Sequence, residues 1–165
     1  MLRLKQLVSS DTCLKCDGCC RFARQDTIWS PVLFDREIDE LARRNIILKK
    51  SSFTKKIKLK PQGSTGSFIC AFLKPQGNKC LIFPHRPFDC RLYPFLLARQ
   101  AEKIFLAVDL HCPFAKDNIK SRGFNDYVAY LIRLFNSRNY SALIKNNPHI
   151  AQEYPEVTIL KELDI

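Results

Sequence analysis

No stretch of this 165-residue sequence approaches the roughly 18 consecutive apolar residues that a membrane-spanning helix requires, so no membrane segment is expected. The opening MLRLKQLVSS also lacks the apolar core and small-residue cleavage site of a secretory leader, and a soluble, cytoplasmic chain is the expectation. Internal repeats, low-complexity tracts and linkers are missing, as is any G-x-G-x-x-G or comparable nucleotide-binding loop. Acidic residues are scarce: 16 Asp and Glu against 27 Lys and Arg leave a net charge of +11. From Arg43 to Lys60, RRNIILKKSSFTKKIKLK, eight basic residues occur without an acidic one. Such a stripe is either a solvated face or a surface for an acidic protein or a nucleic acid. Neither an interleaved aromatic platform nor the ββα spacing of zinc fingers accompanies it, so base readout has no support.

Cysteine, by contrast, is plentiful, with eight in all. Thiols in a reducing compartment stay reduced unless a metal or a catalytic cycle holds them. The chain, 46% apolar with twelve Phe, can bury a core without disulfide staples. Four cysteines, Cys13, Cys16, Cys19 and Cys20, fall within CLKCDGCC. A C-x2-C spacing lets two sulfurs from one tight turn meet a single ion or cluster, and here two such spacings overlap at Cys16. Gly18, without a Cβ, is expected to let the turn bend toward the sulfurs. The other four, Cys70, Cys80, Cys90 and Cys112, each stand beside an expected turn or strand end, and Cys112 precedes Pro113 as the fourth ligand of bacterial ferredoxin motifs does.

A single buried cysteine is an ordinary small apolar group, but eight together read as a ligand set. Zn²⁺ suits a closed site of four thiolates, whereas C-x2-C-x2-C resembles the loop that holds three irons of a [4Fe-4S] cluster. Both stay open, as do one site or two. Adjacent Cys19 and Cys20 point in different directions in most backbone conformations, which sends them to different centres or leaves one outside the ligand set.

The hydrophobic pattern predicts a small α+β fold in a single domain, with short β-hairpins and packing helices around the cysteine-ligated centre. DTIWSPVLF reads as extended. Ile38, Leu41 and Ala42 predict a helix over about 36–44, with Asp35 as its cap. Phe53, Ile57 and Leu59 share one parity over 53–60, as in a half-buried strand. PQGSTG reads as a loop. SFICAFL and CLIF, joined by KPQGNK, predict a hairpin with Cys70 and Cys80 on opposite arms. FLLAR and KIFLAVD predict either a second hairpin or a helix over 94–102. FNDYVAYLIRLF carries one apolar stripe of a helix, SALIKN suits a short helix, and PEVTILKELDI reads as an indefinite tail.

CLKCDGCC, the later cysteines and IFPHRPFDCRLYPF together resemble the YkgJ-type cysteine-cluster family of zinc- or iron-chelating domains over about 13–113. The residues that carry the resemblance are Cys13, Cys16, Cys19, Cys20, Cys70, Cys80, Arg86-Pro87, Cys90-Arg91, Tyr93-Pro94 and Cys112. His85 stands near where the family often has an aromatic. The resemblance implies metal or iron-sulfur binding rather than a particular reaction. Flagellin lysine methylases resemble an elaborated version of the same motif, which makes a protein-modifying enzyme the second reading and a basic binding module the third. An enzyme of that kind is expected to show a pocket beside Cys20 or Cys90 and a thiol of depressed pKa. Arg86, Asp89 and Arg91 flank Cys90, and guanidinium groups there are suited to offset the negative charge of a thiolate centre. His85 and His111 are further candidate ligands, and His149 has no supporting neighbour.

Overall fold

The computed structural model describes residues 4–16, 18–46, 50–51, 54–64 and 66–165. They form an α+β fold of six α-helices and small antiparallel sheets among the described residues, organised as two compact units, Met1–Arg91 and Leu92–Ile165. No helix among the described residues is long and apolar enough to cross a membrane.

The first unit opens with α1 (Ser10–Lys15), capped by Ser9, whose Oγ accepts the Thr12 N–H. A turn leads to β1 (Arg21–Phe22). The stretch read as extended is mostly turns, with a short run at Pro31–Leu33 hydrogen-bonded to residues 55–57. Helix α2 (Asp35–Arg43) buries Glu37 and Leu41 and leaves Ala42 exposed. Asp35 is not its cap: it lies inside the first turn and pairs with Lys55. The N-cap is Phe34, whose N–H is accepted by Glu37, the return half of a capping box.

Strands β2 (Lys50–Ser51) and β3 (Thr54–Ile57) form a two-stranded ladder, and β4 (Leu59–Pro61) follows after a break at Lys58. Ile57 and Leu59 are buried as their parity predicts; Phe53 lies outside the described residues. Strand β5 (Phe68–Cys70) sits between β1 and β4 in an antiparallel sheet. The hairpin predicted around KPQGNK exists with shorter arms, β6 (Leu73–Lys74) and β7 (Lys79–Cys80). Its register corrects the expectation: Leu73, not the arm bearing Cys70, faces Cys80, because Cys70 is already paired with Leu59. A 3₁₀ turn (Phe83–His85) leads to α3 (Phe88–Leu92) at the unit's end. Phe22, Leu33, Leu41, Ile57, Leu59 and Ile69 form the core here. Buried Cys70 belongs to it, and Cys20 and Cys90 pack against it.

The second unit is built on β8 (Phe95–Gln100), β9 (Lys103–Val108) and β10 (Thr158–Glu162), in the order β10-β9-β8. A hairpin therefore forms where a helix over 94–102 had competed, turning at Ala101 with φ 50°. The tail read as indefinite supplies β10, paired with β9. Helices α4 (Pro113–Asn118), α5 (Arg122–Phe135) and α6 (Arg138–Lys145) complete the unit. The predicted stripe of α5 buries Phe124, Tyr127, Leu131 and Phe135, with the Phe95 ring 5.1 Å from Phe124 and 5.3 Å from Tyr127.

Candidate metal centre

Each cysteine takes its position from a short element. Cys13 rides on α1, and Cys16 is the C-cap, where the backbone turns extended after its N–H reaches Cys13 O at 3.2 Å. Gly18 does not occupy the left-handed region, and a Cβ added there would lie 3.5 Å from Cys16 Sγ, an ordinary contact. Glycine is thus not forced at this turn. The Arg21 N–H closes it on Gly18 O at 2.9 Å, and the Cys70 N–H donates to Cys20 O at 3.0 Å, placing the Cys20 backbone beside β5. Asn78 ties the cysteine loop to the β6–β7 turn: its Oδ1 accepts from Arg21 Nη2 at 2.8 Å, and its Nδ2 donates to Leu14 O.

The electrostatics connect these segments. The Cys13 thiol is pushed up first by burial, then by neighbouring Cys19, with Arg86 opposing and Cys16 adding. Cys19 touches solvent, yet its thiol stands well above the ordinary value. Its hydrogen bond with Cys20 is the largest cause and burial in the surrounding protein the second. Burial carries Cys70 up to about 11, with Cys80 and Cys19 adding. It also raises Cys80, with Cys19 adding and Arg86 opposing. Cys90 is raised well above the ordinary value by burial and then by Cys70, Asp89, Cys19 and Cys80. Cys19 thus acts on Cys13, Cys70, Cys80 and Cys90 and is hydrogen-bonded to Cys20. The depressed thiol that the enzyme reading expects is not found among these five, all of which are shifted upward.

Arg86 is the cation that most affects the thiols, lowering Cys13, Cys19 and Cys80. Its guanidinium carbon lies 4.0 Å from the centroid of the Phe83 ring, and Nη2 donates to Gln6 Oε1 at 3.0 Å. Its Nε is buried without a hydrogen-bond partner among the described residues. Lys60 opposes the rise of Cys70. Asp89 Oδ2 accepts the Val32 N–H at 2.9 Å, and burial pushes its carboxyl up to about 6 against the pull of that bond and of Lys56. The Arg91 charge bears on Glu37, lowering its pKa. His85 shares a small surface groove with Glu40, Arg44 and Arg86.

Cys112, buried, belongs to the second unit, as N-cap of α4. Near it in the chain, buried Asp109 accepts the His111 N–H at 2.9 Å and the Tyr93 hydroxyl at 3.0 Å, and lies 2.9 Å from His111 Nδ1. His149 lies in the 3₁₀ turn Pro148–Ile150. Much of the basic stripe is engaged within its own unit. Lys55 pairs with Asp35 and Arg44 with Glu40, while Lys56 donates to the Thr27 and Ile28 carbonyls and Lys60 to that of Leu73. Asn78, Glu37 and Gln6 carry no sequence signal, because their roles depend on backbone groups far away in the chain.

Among the described residues, no three His, Cys, Asp or Glu side chains are already gathered as a ligand set. The donor chemistry nonetheless fits a thiophilic centre. Seven thiols occur in one unit, and those near one another disfavour each other's deprotonation, a penalty that a bound cation removes. Zinc and iron-sulfur clusters are among the groups that thiolates hold.

Comparison with known proteins finds one family model, CxxCxxCC, described as "Putative zinc- or iron-chelating domain", matching residues 12–113. No curated protein and no solved structure matches the chain.

Proposed function

The chain belongs to the CxxCxxCC family, whose model spans residues 12–113, and on that premise we propose that it holds Zn²⁺ or a [4Fe-4S] cluster through its cysteines as a structural or electron-transferring centre. The observation that carries this reading is the set of seven thiols in the first unit, carried by α1, the loop after it, β5, β7 and α3. Cys13, Cys16, Cys19, Cys20, Cys70, Cys80 and Cys90 are the donors offered by the first unit, and Cys112 is the eighth candidate. Bound zinc would cross-link these segments, and a cluster would add one-electron transfer. Arg86 offsets thiolate charge and has an unspent N–H to give to a sulfur. Asp89 and Arg91 act more indirectly, by fixing α3 and by balancing Glu37. A reducing, cytoplasmic setting suits a centre built from free thiols.

The test is metal and sulfide analysis of protein purified without oxygen, together with its visible spectrum. A brown protein with broad visible absorption identifies the cluster, and stoichiometric zinc without colour identifies Zn²⁺. Cys13→Ser and Cys16→Ser should each lower both metal content and melting temperature. Folded protein that holds neither metal and gains none on anaerobic reconstitution would overturn the proposal.

A further inference from the structure

We propose that Glu37, on a helix that carries no cysteine, is the positioning residue for Cys90; the proposal rests on the metal-binding reading above. Glu37 is 9% exposed, and both its oxygens are committed to backbone donors. Oε2 accepts the N–H of Phe34, the N-cap of α2, at 3.1 Å, and Oε1 accepts the N–H of Phe88, the first residue of α3, at 2.6 Å. The second bond spans 51 positions in the chain. Alongside it, Asp89 takes the Val32 N–H and the Phe34 and Phe88 rings meet at 5.3 Å. The first turn of α3 is therefore fixed to residues 32–37 at three adjacent points.

Cys90 follows within that turn, in the company of Cys70, Cys19 and Cys80. Helix α3 has only five residues, too few to hold its own direction. Rotating it by one residue would swing the Cys90 Cβ by about 100° around the axis. A buried carboxylate between two N–H groups sets that rotation, much as partners behind a metal ligand orient it. Glutamine cannot substitute fully: its oxygen accepts one N–H, and its amide N–H₂ would oppose the other.

The experiment titrates Co(II) into reduced protein without oxygen, following thiolate-to-cobalt charge-transfer absorption. Wild type, Glu37→Gln, Cys90→Ser and the double variant are compared. Glu37→Gln should weaken Co(II) binding about ten- to a hundredfold and bring the charge-transfer intensity toward that of Cys90→Ser. In the Cys90→Ser background it should change nothing further. Leu131→Ala, a cavity in the core of the second unit, should lower the melting temperature and leave the cobalt spectrum intact. An equal loss in both backgrounds, or no loss in the wild type, would overturn the role of Glu37 while leaving metal binding in place. Failure of the wild type to take up Co(II) would instead overturn the metal reading, and this proposal with it. If Glu37→Gln does not fold, amide exchange on the wild type decides: the Phe88 N–H should slow at least tenfold when Zn(II) is added, and no change overturns the proposal.

Discussion

At Glu37, burial and hydrogen bonding act on one carboxyl in opposite directions, and burial wins, so its pKa is raised. The native state then holds the proton more tightly than the unfolded chain, in which Glu titrates near about 4.3. Its contribution to stability is fully present below that value and is lost as pH rises through the higher native pKa. Asp89, raised to about 6, contributes with the same sign. Urea melts of the metal-free protein between pH 4 and pH 7 should show stability falling with pH, and Glu37→Gln should flatten part of that slope. An identical slope in the variant would mean that Glu37 does not titrate in this window. The cysteine cluster was legible in the sequence because thiols declare their chemistry by type and spacing, and so was Arg86, whose charge lowers Cys13, Cys19 and Cys80. Glu37 was not, since a glutamate on a helix near basic residues looks like any solvated surface charge until its distant N–H partner is known.

The elements divide along the same line between local pattern and remote partner. Helix α5 was readable because fourteen residues repeat one apolar stripe long enough to establish the helical period. Strand β8 was ambiguous: Phe95 through Ala98 are all buried, so the alternation that identifies a half-buried strand is absent. Strand β10 left no signal of its own, being a mostly exposed strand that exists through its pairing with β9. The β8–β9 turn places Ala101 at φ 50°, a conformation that costs a residue with a Cβ about 1 kcal/mol relative to glycine. Ala101→Gly should therefore raise the melting temperature of the protein, by relief of strain that outweighs the added freedom of the unfolded chain. A lower melting temperature would show that the turn is not strained. Lys56 makes the complementary point within the basic stripe. Burial lowers its pKa, and its ammonium is bonded to the Thr27 and Ile28 carbonyls. Lys56→Met should destabilise the first unit by about 0.5 to 1.5 kcal/mol, because it removes the ammonium's hydrogen bonds while Thr27 O keeps the Ser30 N–H, as urea melts will register. Unchanged stability would return Lys56 to the exposed face that the sequence alone implied.

Across the molecule, the two units differ in what each has available to hold it together. The second carries a three-stranded sheet and an aromatic core in which Phe95, Phe124 and Tyr127 meet. The first is assembled from strands of two to four residues, and such short ladders are marginal by themselves. Seven of the eight cysteines lie in that first unit, three of them in or against its apolar core. Where ligands come from several remote segments, the free energy of metal binding becomes folding free energy for those segments. Removing the metal with a chelator under reducing conditions should therefore speed amide exchange chiefly in 4–91, above all at Arg21, Cys70 and Phe88. Those three N–H groups bind Gly18, Cys20 and Glu37 and report on the cysteine loop, β5 and α3 in turn. The β8 and β9 amides should keep their protection, because the β8–β9 ladder and the aromatic residues packed on it contain no thiol. Equal loss of protection in both units would mean that the cysteines do not stabilise the first unit selectively, and no loss in either would mean that its short strands are held by the apolar core alone.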